Sequence, residues 1–280
     1  MRRLNIICLL LIGFLSISIR SAAQNRQVGN FILDETELYA MTKQMSQFFS
    51  RFNNEEDQFG KKYHPASDNW RNNTGRRNIL PLLFDHQNQR TAGTLRDYFV
   101  DDLTADKGRY LEFLGGRWYA EVSSTFEFQG RQVPVSLILM IQRSGLGSKW
   151  VLTNVYFAQF NRMFPVGEIA EKEKHFLHPM SHELDFMNIH KAFRQPEVIE
   201  YYARDDFQPD YLSIFFYEVK LGRMKFVRVE SLKFHFFQIP NWYFEVSWFN
   251  RPGMNSGWLI SNLMFVKEEE KKPLLKFYEP

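Results

Sequence analysis

Trp150-Val-Leu-Thr-Asn-Val-Tyr-Phe157 decides the reading, because the chain writes it twice. It returns as Trp258-Leu-Ile-Ser-Asn-Leu-Met-Phe265. In both copies a Trp opens an apolar run, a small hydroxyl residue precedes an Asn, and a Phe closes it. Each copy reads as the last strand of a repeated unit. The repeat extends upstream. Val133-Pro-Val-Ser-Leu-Ile-Leu-Met answers Ile239-Pro-Asn-Trp-Tyr-Phe-Glu-Val, and Thr125-Phe-Glu-Phe128 answers Lys233-Phe-His-Phe236. Gly108-Arg-Tyr-Leu-Glu-Phe113 answers Gly222-Arg-Met-Lys-Phe226 with one residue fewer. Four landmarks in one order at one-domain spacing predict a duplication.

The chain has 280 residues, room for two domains, and 16% of it is aromatic, with 28 Phe. That composition forms a core and excludes disorder as the default state. Met1-Arg-Arg, an apolar run from Leu4 to Ile19 and the small residues Ser21-Ala-Ala23 read as a secretory signal peptide over residues 1–23. The run is short for a membrane anchor, and no second candidate span follows. Cys8 is the single cysteine and lies inside that apolar run, so residues 24–280 hold no disulfide. An exported chain stabilised by packing alone fits a bacterial periplasmic or secreted protein. Loss of the leader removes Arg2, Arg3 and Arg20, so 35 basic residues become 32 against 32 acidic ones. A neutral protein has no general attraction to nucleic acid or anionic membrane, and the basic pair Arg76-Arg77 is too little to change that.

Residues 24–165 are expected to form a first domain. Asp34 caps a helix with Glu37 three residues on, and Leu38, Met41, Met45, Phe48, Phe49 and Phe52 make its apolar stripe. Residues 53–78 read as a long polar loop containing the glycosylation-type triplet Asn72-Asn-Thr74, and Asn78 to Asp85 as a short apolar element. Thr94 to Leu103 reads as a helix. The period then changes to two, and Arg117–Phe128, Gln132–Arg143 and Lys149–Phe157 read as antiparallel strands. Trp150, Leu152, Asn154 and Tyr156 are expected on one face.

Residues 166–180 read as a linker. His175, His178, His182, Asp185 and His190 follow one another closely from its end into the next segment, and His with a carboxylate is zinc-ligand chemistry. Pro179 interrupts any helix that would align them, and Phe186 stands where a zinc-protease HExxH motif needs its second His. Surface and capping histidines are the simpler reading, and neither a metal nor another cofactor is expected.

Residues 181–266 are expected to form the second domain. Pro196 to Ala203 is helical, and Tyr211–Leu221 suits helix or strand and is taken as helix by analogy with the first half. Met224–Gln238, Trp242–Asn250 and Gly257–Val266 read as strands. The last puts Trp258, Ile260, Asn262 and Met264 together. The tail, residues 267–280, opens with the solvated run Lys267-Glu-Glu-Glu-Lys-Lys272. Its apolar end, with Leu274, Leu275, Phe277 and Tyr278, either folds back on the body or docks a partner.

Helices followed by a bent antiparallel sheet, written twice, resemble tandem domains of the NTF2-like (cystatin-like α+β) superfamily. The resemblance is carried by the stripe from Leu38 to Phe52 and by the strand sets that end at Phe157 and Phe265. It implies an α+β fold of two domains, each with N-terminal helices on a curved antiparallel sheet. It also implies either a conical small-ligand pocket or a protein-binding module. Trp150, Asn154, Tyr156, His235, Trp258 and Asn262 are the candidate pocket groups. An Asn at the same place in both halves is read more simply as serving a shared strand hydrogen bond or bulge. No catalytic residue can be named. The expected function is an exported, non-catalytic binding or scaffold protein of the bacterial cell envelope with a protein partner. The alternative is a pocketed protein that binds or transforms a small apolar ligand.

Overall fold

A computed structural model describes residues 44–57, 59–105, 107–145, 147–164, 174–175, 177, 189–253 and 255–279. The expected leader, the cap at Asp34, and His178, His182 and Asp185 lie outside the described residues. All described residues belong to one compact unit, Glu35–Pro280.

Helices α1 (Met45–Phe52), α2 (Asn73–Ile79) and α3 (Thr94–Leu103) come first, with 3-10 turns at Leu80–Leu83 and Gln89–Thr91. Strands β1 (Trp118–Phe128), β2 (Arg131–Ser144) and β3 (Gly147–Tyr156) form a meander. After α4 (Ala158–Met163), 3-10 turns at Ile189–Phe193 and Pro196–Tyr202 lead to α5 (Tyr211–Lys220). A second meander, β4 (Met224–Phe236), β5 (Trp242–Phe249) and β6 (Gly257–Phe265), ends in α6 (Glu268–Tyr278). The described part of the first helix starts at Met45, where Gln44 has extended backbone and its N–H donates to Gln47 Oε1 at 3.2 Å. The β1–β2 hairpin turns on Gln129 and Gly130, both at positive φ (51° and 73°), the twist that a two-residue primed turn requires.

The fold is α+β, but the two strand sets do not form separate sheets. They join in one antiparallel sheet of order β3-β2-β1-β4-β5-β6. The seam is β1 against β4, paired from Trp118↔Phe236 to Phe128↔Met224. Two residues of β4, Val227 and Glu230, bulge out of this register. The bulges explain an uneven apolar spacing. Met224, Phe226, Val229, Leu232, Phe234 and Phe236 cannot share a face in a regular strand of period two, and two extra residues restore the phase.

The helices are exchanged between the halves, which the expectation of self-contained domains did not anticipate. Helices α1 and α3, from the first half, cover mainly second-half strands. Phe52 stacks on Phe244 at 5.8 Å, and Phe99 meets Trp242 edge-on at 5.0 Å. Helix α5, from the second half, covers first-half strands, with Phe215 edge-on to Phe126 at 5.5 Å within a cluster that includes Val135, Val155 and Phe157. The opposite face of the sheet is covered by α6, whose Leu275 and Tyr278 pack with Tyr119, Ile138, Phe237 and Tyr243. The apolar end of the tail therefore folds back. The charged run before it is not solvated throughout, because Lys271 is buried and donates to Ile239 O at 2.6 Å and Phe237 O at 3.3 Å.

Arg76 is fully buried and holds the first-half helices together. Its guanidinium donates to Phe52 O (3.1 Å) and Leu103 O (2.9 Å), carbonyls at the ends of α1 and α3, and to Arg109 O. Tyr110 lies over it at 4.4 Å, and burial lowers its pKa to about 10, still charged at neutral pH. Arg76→Met strands these carbonyls and is expected to lower unfolding free energy by about 3 kcal/mol. Urea denaturation checks this; a change under 1 kcal/mol (approximately RT ln 5) contradicts the role.

Candidate functional site

The sheet face beneath α6 collects most of the polar groups that the strands carry inward. Strand alternation sets Tyr119 and Glu121 on β1 toward α6, together with His235 on β4 and Tyr243 and Glu245 on β5. The registers Tyr119↔His235 and His235↔Glu245 bring them side by side. Asn262 reaches the same face from β6, where it stands opposite Glu245.

His235 is the centre of this network. Its Nε2 lies 2.9 Å from Glu121 Oε2, and its Nδ1 lies 2.9 Å from the Tyr243 hydroxyl. Tyr243 O–H donates to Glu245 Oε1 at 2.6 Å, and the same oxygen accepts from Asn262 Nδ2 at 3.0 Å. Tyr278 of α6 lies over the His235 ring at 5.1 Å. Tyr119 O–H donates to Glu279 at 2.7 Å, just past the end of α6, and its ring stacks on Tyr278 at 4.9 Å.

Charge follows from these contacts. The hydrogen bond from His235 holds the Glu121 carboxyl below its usual value of 4.5. Burial raises the Tyr243 phenol, with Tyr278 and the Glu245 carboxylate adding to it. Burial also pushes Tyr278 up to about 12 and raises Tyr119. The phenols stay protonated near neutral pH, and those of Tyr119 and Tyr243 donate to Glu279 and Glu245. His235 has both ring nitrogens engaged and a side chain only 5% exposed. A general base must reach the proton that it removes, and in this closed arrangement His235 reaches only its own neighbours. The network fixes α6 to the sheet.

The six candidate pocket residues do not share one face. In β3 the register skips Thr153, so Asn154 stands opposite Ile138 while Leu152 stands opposite Leu139. In β6 it skips Ser261 in the same way. Each bulge turns the strand over. Asn154, Tyr156 and Asn262 join His235 on the α6 face, and Trp150 and Trp258 go to the other. The expected groupings of Trp150 with Asn154 and of Trp258 with Asn262 are corrected accordingly. The bulged hydroxyls play equivalent parts. Thr153 Oγ1 donates to Ile138 O at 3.5 Å and Ser261 Oγ to Glu245 O at 3.4 Å. The repeated Asn thus marks a repeated bulge. Asn154 Nδ2 donates to Phe277 O at 2.6 Å, a further tie to α6.

On the opposite face the two Trp residues belong to an aromatic row. Trp118 meets Trp150 at 5.3 Å, Trp150 tilts on Phe234 at 6.3 Å, and Trp258 links Phe234 (5.0 Å) to Trp248 (5.4 Å). Trp150 and Trp248 are the exposed members of the row.

Two of the cavities bordered by described residues bear on the site. One, of about 20 Å³, lies beside Tyr119 and Glu279 and has room only for water. The other is an open depression of about 260 Å³ lined by Phe49, Asn53, Glu55, Arg71 and Phe113, where Arg71 pairs with Glu55 at 2.6 Å. None of the six candidate residues lines either one. Of the linker histidines, His175 packs edge-on against Tyr201 at 5.5 Å. Among the described residues no three His, Cys, Asp or Glu side chains converge as metal ligands.

Glu121, Tyr243, Glu245, Tyr119 and Lys271 were not singled out from the sequence. Glu121 and Glu245 sit at alternating strand positions like any solvent-facing carboxylate, and only the register places them around His235. The chain matches no protein-family model, no curated protein and no solved structure.

The sign of the pH dependence follows from Glu121. Its folded pKa lies below the unfolded value, so its stabilisation is present above about 4.5 and is lost as pH falls through the folded pKa. Glu121→Gln is expected to flatten the loss of stability between pH 6 and pH 3 (approximately the range spanning carboxylate titration), read from urea midpoints across that range. Equal slopes in the two proteins contradict it. Leu275→Ala is expected to cost about 2–4 kcal/mol, because it empties the apolar seat of α6. A loss well under 1 kcal/mol (approximately that of an exposed site) shows that the helix does not depend on that seat.

Proposed function

We propose that this is an exported, non-catalytic binding or scaffold protein of the bacterial cell envelope, built by duplication of an NTF2-like unit. The observation that carries the reading is how the ionisable groups are used. His235, Glu121, Tyr243 and Glu245 satisfy one another beneath α6, while large apolar side chains stay exposed on both sides of the sheet. An enzyme needs a reactive group turned toward its substrate. A binding module needs exposed anchors.

Support for the duplicated origin is geometric. Each half supplies a three-stranded meander with a bulge just before the repeated Asn, and in each half a helix precedes the meander. Export is supported by the leader-like residues 1–23.

The tail offers a partner surface different from the one its composition suggests. Leu275 and Tyr278 are committed to the body of the protein, while Leu274 and Phe277 are exposed. Phe277 lies 6.4 Å from the exposed ring of Tyr156 on β3, so the three form the candidate anchor. The test is native mass spectrometry of the protein purified from its host's envelope. A foreign protein at fixed stoichiometry is expected, and Leu274→Ser with Phe277→Ser is expected to release it without lowering the unfolding midpoint. A small-molecule adduct in place of a protein would overturn the scaffold reading.

A further inference from the structure

The sheet contains a notch. Strand β4 is paired with β1 along its whole length, but β5 joins it only from Lys233↔Ser247 to Phe236↔Phe244. Among the described residues no strand pairs with the other side of Met224–Leu232. Residues 225–231 of this stretch are all exposed, including Phe226 (58%) and Val229 (54%). An unpaired strand side of this length presents backbone donors and acceptors to any strand that fits.

Two features select the occupant. The first is charge. Arg228 and Glu230 flank Val229, and both side chains lie on the α6 face, where they pair at 2.8 Å and Glu230 also accepts from Thr125. Val229 points to the other face. In antiparallel pairing of this strand with a second copy of itself, centred on Val229, each Arg228 stands opposite the other chain's Glu230. Each Phe226 then stands opposite a Leu232. The arrangement is self-complementary, as a two-fold interface requires. The second feature is shape. The bulges at Val227 and Glu230 bend β4, and bulges blunt an edge against straight foreign strands. A second copy carries the same bend.

We infer that the protein forms a two-fold dimer through β4 against β4 of a second copy, centred on Val229 and flanked by reciprocal Arg228–Glu230 pairs. Residues 24–280 contain no cysteine, which makes the test clean. The pairing goes beyond the scaffold reading and does not depend on it.

The experiment uses the processed full chain. Native mass spectrometry and light scattering are expected to give twice the chain mass. Val229→Cys is expected to form a covalent dimer on mild oxidation, since residues facing each other across an antiparallel pair lie about 4.5–5.5 Å apart, within reach of a disulfide. Lys149→Cys, on exposed β3, is expected not to. Arg228→Glu is expected to weaken the dimer about tenfold or more, and Arg228→Glu with Glu230→Arg to restore it. Restoration separates a lost contact from a misfolded chain. A monomeric wild-type protein overturns the inference, as does a dimer that Val229→Cys fails to link and Arg228→Glu leaves intact. A monomer that still carries a foreign envelope protein removes this inference and leaves the scaffold reading standing.

Discussion

The pairing of β1 with β4 is the constraint on which the rest of the structure depends. It joins two meanders that the chain writes as separate repeats, and it does so antiparallel, through the first strand of each. Once joined, neither half has a face of its own. The aromatic stripe of α1 finds its partners in Phe236 and Phe244 of the second half, and Phe215 of α5 finds Phe126 of the first. Cutting the chain at the linker would part α1 and α3 from β5, and α5 from β1.

Bulges are the second organising device. They sit at Val227 and Glu230 in β4, at Thr153 in β3 and at Ser261 in β6. Each adds one residue to a strand whose side-chain period is two, so each reverses the faces beyond it. In β4 two bulges keep an unevenly spaced apolar row on the helix side. In β3 and β6 one bulge divides each repeat, leaving its Trp in the helix-side row and turning its Asn toward α6. A polar, aromatic face for α6 and an apolar face for the other helices thus arise from the same strands.

The α6 face shows how ionisable groups can be structural. A histidine between two carboxylates and a phenol resembles a reaction centre when viewed as a residue set. Its distances link His235, Glu121, Tyr243, Glu245 and Asn262 in one hydrogen-bonded network. Lys271 extends the principle, its ammonium buried on two backbone carbonyls and held by Glu268 at 2.8 Å. Burial of so many polar groups is tolerated because they are paired.

The sequence by itself determined the strands and some of the helices, but not α2 or α6, which lie in stretches that read as loop and tail. Local alternation and periodicity placed all six strands within one or two residues of their ends and set α3 at Thr94–Leu103, while α5 is open to helix or strand locally and reads as helix only by analogy with the first half. The repeated Asn points to a shared strand hydrogen bond or bulge, and each copy directly follows a bulge. These signals are local, carried by neighbouring residues under the geometry of one strand or helix. Tertiary structure alone decided which elements meet. Pairing across the β1–β4 seam, the exchange of helices, the seat of α6 and the gathering of Glu121, Tyr243 and Glu245 around His235 depend on residues more than a hundred positions apart in most cases, as with Glu121 and His235. A strand's pattern states that it has an apolar face. It does not state which helix, or which half of the chain, will cover it.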